Sequence, residues 1–179
     1  MSKLMTFPDR YINQLVTFLM LDDTINKMLY YTNTTEDDIL SLPEVKEPIK
    51  KFNDKKIFID RRVNKLFDAI FESDCYIFLN MYKDEPASLN NGKTSSFISS
   101  FRLDIGVVCH NSCSNTLNGS RDVIIYKRIN EILREDERLG AIKEVIGKPI
   151  IGTTSQNYSI PIDYNTYITS VTVRYFNEM

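Results

Sequence analysis

Residues 99–110, SSFRLDIGVVCH, run into NSCSNTLNG (111–119) and then SRDVIIYKRINEILREDERL (120–139). These three stretches decide the fold class. In the first, Phe101, Leu103, Ile105, Val107 and Cys109 recur at period two, with Arg102 and Asp104 between them. That is the pattern of a strand with one buried face. The second is rich in Ser and Asn and ends at Gly119, so it reads as a polar loop. In the third, Ile125, Ile129, Ile132 and Leu133 form one apolar stripe, while Arg121, Lys127, Arg128, Glu131 and Arg134 stay outside it. The spacing predicts an amphipathic helix.

Upstream, SDCYIFLNMYK (73–83) is apolar on both faces and predicts a strand that is central or covered on both sides. DEPASLNNGKTSS (84–96), with Pro86 and Gly92, then reads as a polar connecting loop between two antiparallel strands. Downstream, GKPIIGTT (147–154) and NYSIPIDY (157–164) read as short strands joined by a tight turn, with Pro161 favouring an edge. The last strand is NTYITSVTVRYF (165–176), where Tyr167, Thr169, Val171, Val173 and Tyr175 share a face.

KIFIDRRV (56–63) fits a short strand or an extended lead-in. At the N-terminus, Pro8 suits a first helical turn, and Tyr11, Ile12, Leu15, Phe18 and Leu19 follow at helical spacing to about Leu21. Asp22 and Asp23 cap a second short helix with Ile25, Met28 and Leu29 as its apolar side. Thr35 caps a further turn, EDDILSL. Pro43 and Pro48 break any continuation, and residues 44–56 read as a charged surface connection.

Strands cluster in hairpins instead of alternating with helices, so the expected fold is α+β. A mostly antiparallel sheet would be covered on one face by one long amphipathic helix. A helical N-terminal segment, 1–55, would flank a core of 56–179, the two making one domain. The other sheet face, carrying Arg102, Asp104, Thr172 and Arg174, is expected to meet water or a partner.

Composition narrows the function. The 179 residues are 42% hydrophobic and 26% charged, an ordinary globular balance. Lys plus Arg number 22 and Asp plus Glu 24, a net charge of −2 that argues against a dedicated duplex-DNA binder. Three cysteines form an odd count, which argues against a disulfide framework and for a reducing compartment. The run LVTFLML (15–21) is too short to span a bilayer, so a soluble chain made inside the cell is expected.

No catalytic set stands out. Cys109 and His110 are adjacent in a strand and point to opposite faces, a poor nucleophile–base pair. Cys113 can approach either one, but C-H-x-x-C lacks a fourth metal ligand. Packing for Cys109 and a strand-end cap for His110 account for both. The acidic clusters Asp22–Asp23 and Glu36–Asp38 suit helix N-termini, and Glu135–Glu137 lies between Arg134 and Arg138. GTTSQNYS (152–159) has no phosphate-binding spacing, and neither GxGxxG nor GxxxxGK[ST] occurs. The tyrosines fall mostly at alternating strand positions, where packing explains them. No cofactor and no metal is expected.

In the order of its parts the sequence resembles small neck proteins of tailed phages of low-GC bacteria. The resemblance rests on the N-terminal helix ending in NKMLYYT, the Pro-broken charged segment, the strand FRLDIGVVCHN with a loop containing Gly119, and the helix SRDVIIYKRINEIL followed by a β segment and a terminal strand. It implies a tail terminator: a homo-oligomeric ring, usually of six subunits, that caps the tail tube and joins it to the head connector. The implied partners are the tail tube protein and the connector or neck proteins, with DNA passing through the lumen unbound and no membrane contact. The implied location is the virion, after assembly in the host cytoplasm.

The resemblance carries no catalytic residues. It points to sheet edges and loops as subunit contacts, here 84–96 and 111–120. With the polar sheet face, the candidates are Asp84, Glu85, Asn90, Asn91, Lys93, Arg102, Asp104, Asn115, Asn118 and Arg174. A head-completion, connector or baseplate component is the nearest alternative. A small intracellular Cys/His enzyme or redox protein, built on Cys109, His110 and Cys113, is the alternative of another class.

Overall fold

The computed structural model describes residues 7–34, 38–53, 55–59, 74–88, 94–135, 139, 145–154, 158 and 160–176. Two helices open the chain, α1 (Phe7–Leu21) and α2 (Asp23–Tyr30), followed by a 3-10 turn (Ile39–Ser41) and the short α3 (Pro48–Phe52). Strand β1 (Ile57–Ile59) precedes a long pair, β2 (Cys75–Ser88) and β3 (Thr94–His110). The one-turn α4 (Asn111–Ser114) leads into a miniature hairpin, β4 (Asn115–Thr116) and β5 (Gly119–Ser120). Helix α5 (Arg121–Glu135), β6 (Ile150–Gly152) and β7 (Tyr164–Phe176) complete the order.

The sheet has five strands in the order β1-β2-β3-β7-β6. β1 runs parallel to β2, and the other neighbours are antiparallel, so the α+β fold has a mixed sheet. β3 lies at its centre, paired along its length with β7 from Ile98↔Phe176 to His110↔Tyr164.

The odd-numbered residues of β3, from Phe101 to Cys109, are buried in one cluster with Ile77 and Leu79 of β2, Val171 and Val173 of β7, and the apolar sides of α1, α2 and α5. Two helices of 15 residues each, α1 and α5, pack into this cluster, where the sequence led us to expect one. Phe7 of α1 stacks on Tyr175 of β7, with ring centroids 4.5 Å apart, and meets Phe101 edge-on. Its aromatic residue at the helix start gives α1 a direct seat on the sheet.

The stripe on α5 is buried as its spacing predicts, through Ile125, Ile129, Ile132 and Leu133. Arg121 departs from the prediction: it is wholly buried. The stretch 44–56 is more than a surface connection, because Val45 and Phe52 are buried and 48–52 is helical. Thr35 lies outside the described residues, and Asp38 stands at the head of the 3-10 turn. Of NYSIPIDY, the described residues before Tyr164 form no strand; Pro161 accepts a turn hydrogen bond from the Tyr164 N–H, and β7 starts there.

The second sheet face is divided. Near the His110 end, Phe78 and Val108 are buried under Tyr158, Tyr164 and Ile168. Phe78 faces Gly106 across the β2–β3 pair, and a Cβ at Gly106 would overlap the Phe78 ring. Glycine here lets an aromatic ring lie flat on the neighbouring strand. Toward the other end, Arg102 and Arg174 are exposed.

Candidate functional site

A cluster of buried polar groups, Ser114, Arg121 and Asp122, lies where β3 ends and α5 begins. β3 delivers Cys109 to the buried face, and β2 sets Cys75 directly opposite it. The chain then turns through α4, which brings Cys113 back so that its Sγ lies 3.6 Å from that of Cys109. All three thiols are free and buried. The sequence places Cys109 in the core; that Cys75 and Cys113 flank it depends on strand register and on α4.

For Cys109, the contact with Cys113 draws the thiol pKa down, but the contact with Cys75 and burial together push it well above the ordinary range. Cys113 is pushed up by its contact with Cys109 and by burial, against the pull of the Arg121 charge. Neutral, buried thiols are poor nucleophiles at neutral pH. His110 caps α4: its Nδ1 is 2.7 Å from Ser112 Oγ and accepts from the Ser112 N–H at 3.2 Å. Its ring meets Tyr164 edge-on. Among the described residues no three His, Cys, Asp or Glu side chains are arranged to hold a metal ion.

Arg121 sits at the first position of α5 and is 0% exposed. Its Nε donates to the Cys113 carbonyl at 2.8 Å, one terminal nitrogen to Met28 O, and the other to Tyr31 O and Thr34 O. These last three carbonyls surround the C-terminus of α2, the negative end of that helix, so the guanidinium satisfies both their lone pairs and the dipole. Lys56 adds to this, donating to Leu29 O at 2.9 Å while paired with Asp74. The other end of α2 is also tied to α5. Asp22 accepts from the Ile25 N–H as N-cap and pairs with Arg128 at 2.8 Å. Beside Arg121, the Asp122 carboxylate accepts from Ser114 and Ser120 hydroxyls.

The expected contact residues separate into groups. Asp84 and Glu85 are in β2, opposite Phe101 and Ser100, not in a loop; residues 84–88 and 94–96 are strand. Cross-strand pairing carries the hairpin through Pro86, whose missing N–H is accommodated beside bulges at Met81/Asp84 and Pro86/Ser88. Asn90, Asn91 and Lys93 lie outside the described residues. Asp104 is not on an open surface: it is 0% exposed and accepts from the Thr154 and Tyr158 hydroxyls. Asn80 donates to Tyr158, which anchors this cover to β2.

Asn118 is spent within the chain, accepting from the Ile39 N–H at 2.9 Å and donating to Asp38 at 2.7 Å. Asn115 is exposed in β4. Arg102 and Arg174 stand on the same open part of the second face, on neighbouring strand pairs (Arg102↔Thr172 and Ser100↔Arg174). The hairpin end of β3 and its α4 end are opposite ends of one 17-residue strand. The two segments expected to make contacts therefore lie at opposite ends of the sheet.

A model of the YomW family matches residues 22–169. The chain belongs to the YomW family. The match runs from the N-cap of α2 into β7, and so takes in the three thiols, Arg121 and both ends of the sheet. The YomW name points to a phage-derived protein. No curated protein matches the chain. Among the described residues no helix is long and apolar enough to cross a membrane.

Proposed function

We propose that this YomW-family chain is a non-enzymatic structural protein of a tailed-phage neck, a tail terminator whose copies form a ring on the tail tube and join it to the head connector. One observation carries this reading: the β2–β3 hairpin and the α4–β4–β5 segment lie at opposite ends of one sheet. A ring closes through a heterologous contact, which requires two different patches on each subunit. Two patches at opposite ends of a rigid element meet that requirement. The net charge of −2 suits a lumen that passes DNA without holding it.

The test is electron microscopy of particles made when the gene is silenced in its parent phage. Unjoined heads with over-long or irregular tails are expected. Normal tails beside heads that leak DNA would move the protein to the head side, as a completion or connector component. Intact infectious virions would overturn the structural reading.

The thiol contact at 3.6 Å is what favours the second reading, a small Cys/His enzyme or redox protein. Thiol alkylation and His110→Ala separate the two. Assembly persists under both if the protein is a neck component; loss of a chemical activity with the fold intact would favour the alternative.

A further inference from the structure

We propose that Cys109 and Cys113 are a disulfide-forming pair, closed by a small peroxide such as hydrogen peroxide, with Cys75 left as a thiol. The inference stands on local geometry and does not depend on the neck reading.

The sequence holds three cysteines, and the fold brings all of them to one point. Their separations argue that this is built by the fold: Cys75 and Cys109 meet through strand register, and Cys113 returns only because α4 reverses the chain. The Cys109 and Cys113 sulfurs are in van der Waals contact at 3.6 Å. A disulfide needs about 2.05 Å, so they must close by roughly 1.5 Å. Cys109 is fixed in the central strand, whereas Cys113 stands on a single helical turn of four residues. That turn is the part able to move.

Cys113 is the first to react. It is 3% exposed against 0% for Cys109, so a small oxidant reaches its sulfur first. The Cys113 sulfur attacks one peroxide oxygen, the O–O bond breaks, and the thiol proton passes to the departing hydroxide, leaving a sulfenic acid and one water. Because the thiol is held neutral, this step quickens as pH rises. The Cys109 sulfur then attacks that sulfur, the S–O bond breaks, and the departing hydroxide takes the Cys109 proton to leave as a second water. The two sulfurs lose two electrons in all, and the peroxide takes them. The depth of the pair selects an oxidant of about the size of water over bulky disulfides.

The test uses the full chain. Native protein is treated with hydrogen peroxide, denatured, alkylated and digested with trypsin. Cys109 and Cys113 share the peptide 103–121, which should become two hydrogens lighter and resist alkylation, while Cys75 alkylates fully. Cys109→Ser or Cys113→Ser should abolish the change, and Cys75→Ser should leave it. A disulfide that includes Cys75 would overturn the proposal. So would sulfinic acid without a cross-link, or three alkylatable thiols after a treatment that cross-links the unfolded chain. The wild-type peptide map decides the matter even if a serine variant fails to fold.

Discussion

Arg121 carries its charge with no exposure to water and gives four hydrogen bonds to carbonyl oxygens, three of them around the end of α2. Replacing it by Met leaves those acceptors buried and unmatched, so Arg121→Met should lower the unfolding free energy by about 3 kcal/mol or more in urea titrations. Arg121→Lys should recover less than half of the loss, because an ammonium cannot reproduce the planar fork. Tyr11 presents the opposite case. Its hydroxyl is buried with no hydrogen-bond partner among the described residues, and burial pushes its pKa well up. A group that holds its proton more tightly when folded adds stability below its unfolded pKa, and this is lost as pH rises beyond it. Tyr11→Phe should therefore be neutral or stabilising at pH 7, by up to about 1 kcal/mol, and should lose less stability than wild type above about pH 10. The sequence did hold a signal for Arg121. It stands four residues before Ile125 and eight before Ile129, in phase with the apolar stripe, and its charge masked that phase. Asp104 held no such signal, since its burial comes from Thr154 and Tyr158, some fifty residues away.

At the level of elements, the β2–β3 pair shows most directly what pattern reading can and cannot reach. Alternation located β3 and its buried face, because Phe101 to Cys109 keep period two without a break. It did not find the hairpin's true length. Pro86 and Gly92 are turn-type residues, whereas residues 84–88 are held extended by partners across the strand, which local composition does not record. Local composition is equally silent on Gly106, which faces the Phe78 ring across the pair. Gly106→Ala should destabilise by about 1–3 kcal/mol through overpacking. In a Phe78→Leu background the same substitution should cost clearly less, and a double-mutant cycle measures the coupling. Equal penalties in both backgrounds would show that the ring is not the cause. α1 was legible as a helix from its spacing; its place on the sheet beside α5 was not, because Phe7 finds Tyr175 only in three dimensions.

For the whole molecule, the mixed five-stranded order was legible in part: hairpin clustering gave α+β, but nothing local marked β1 as parallel to β2. The expected contact residues divide between strand, buried cluster and open face, since spacing shows which positions share a face and not what covers it. Assembly is the property that tests their arrangement. Deleting Ser88–Lys93 should leave the monomer folded, with an unchanged circular dichroism spectrum, and should weaken self-association in sedimentation velocity. Unchanged association would remove the hairpin end from the contact.

The position of Arg121 also sets an order of events during synthesis. The carbonyl of Met28 waits for a donor 93 residues further along the chain. At translation speeds of 5–20 residues per second, that wait is about 5–20 s. The end of α2 is thus secured only after the central strand has followed it. A chain broken off before Arg121 would hold α2 without its lock, which gives quality-control proteases a window that closes only when α5 arrives.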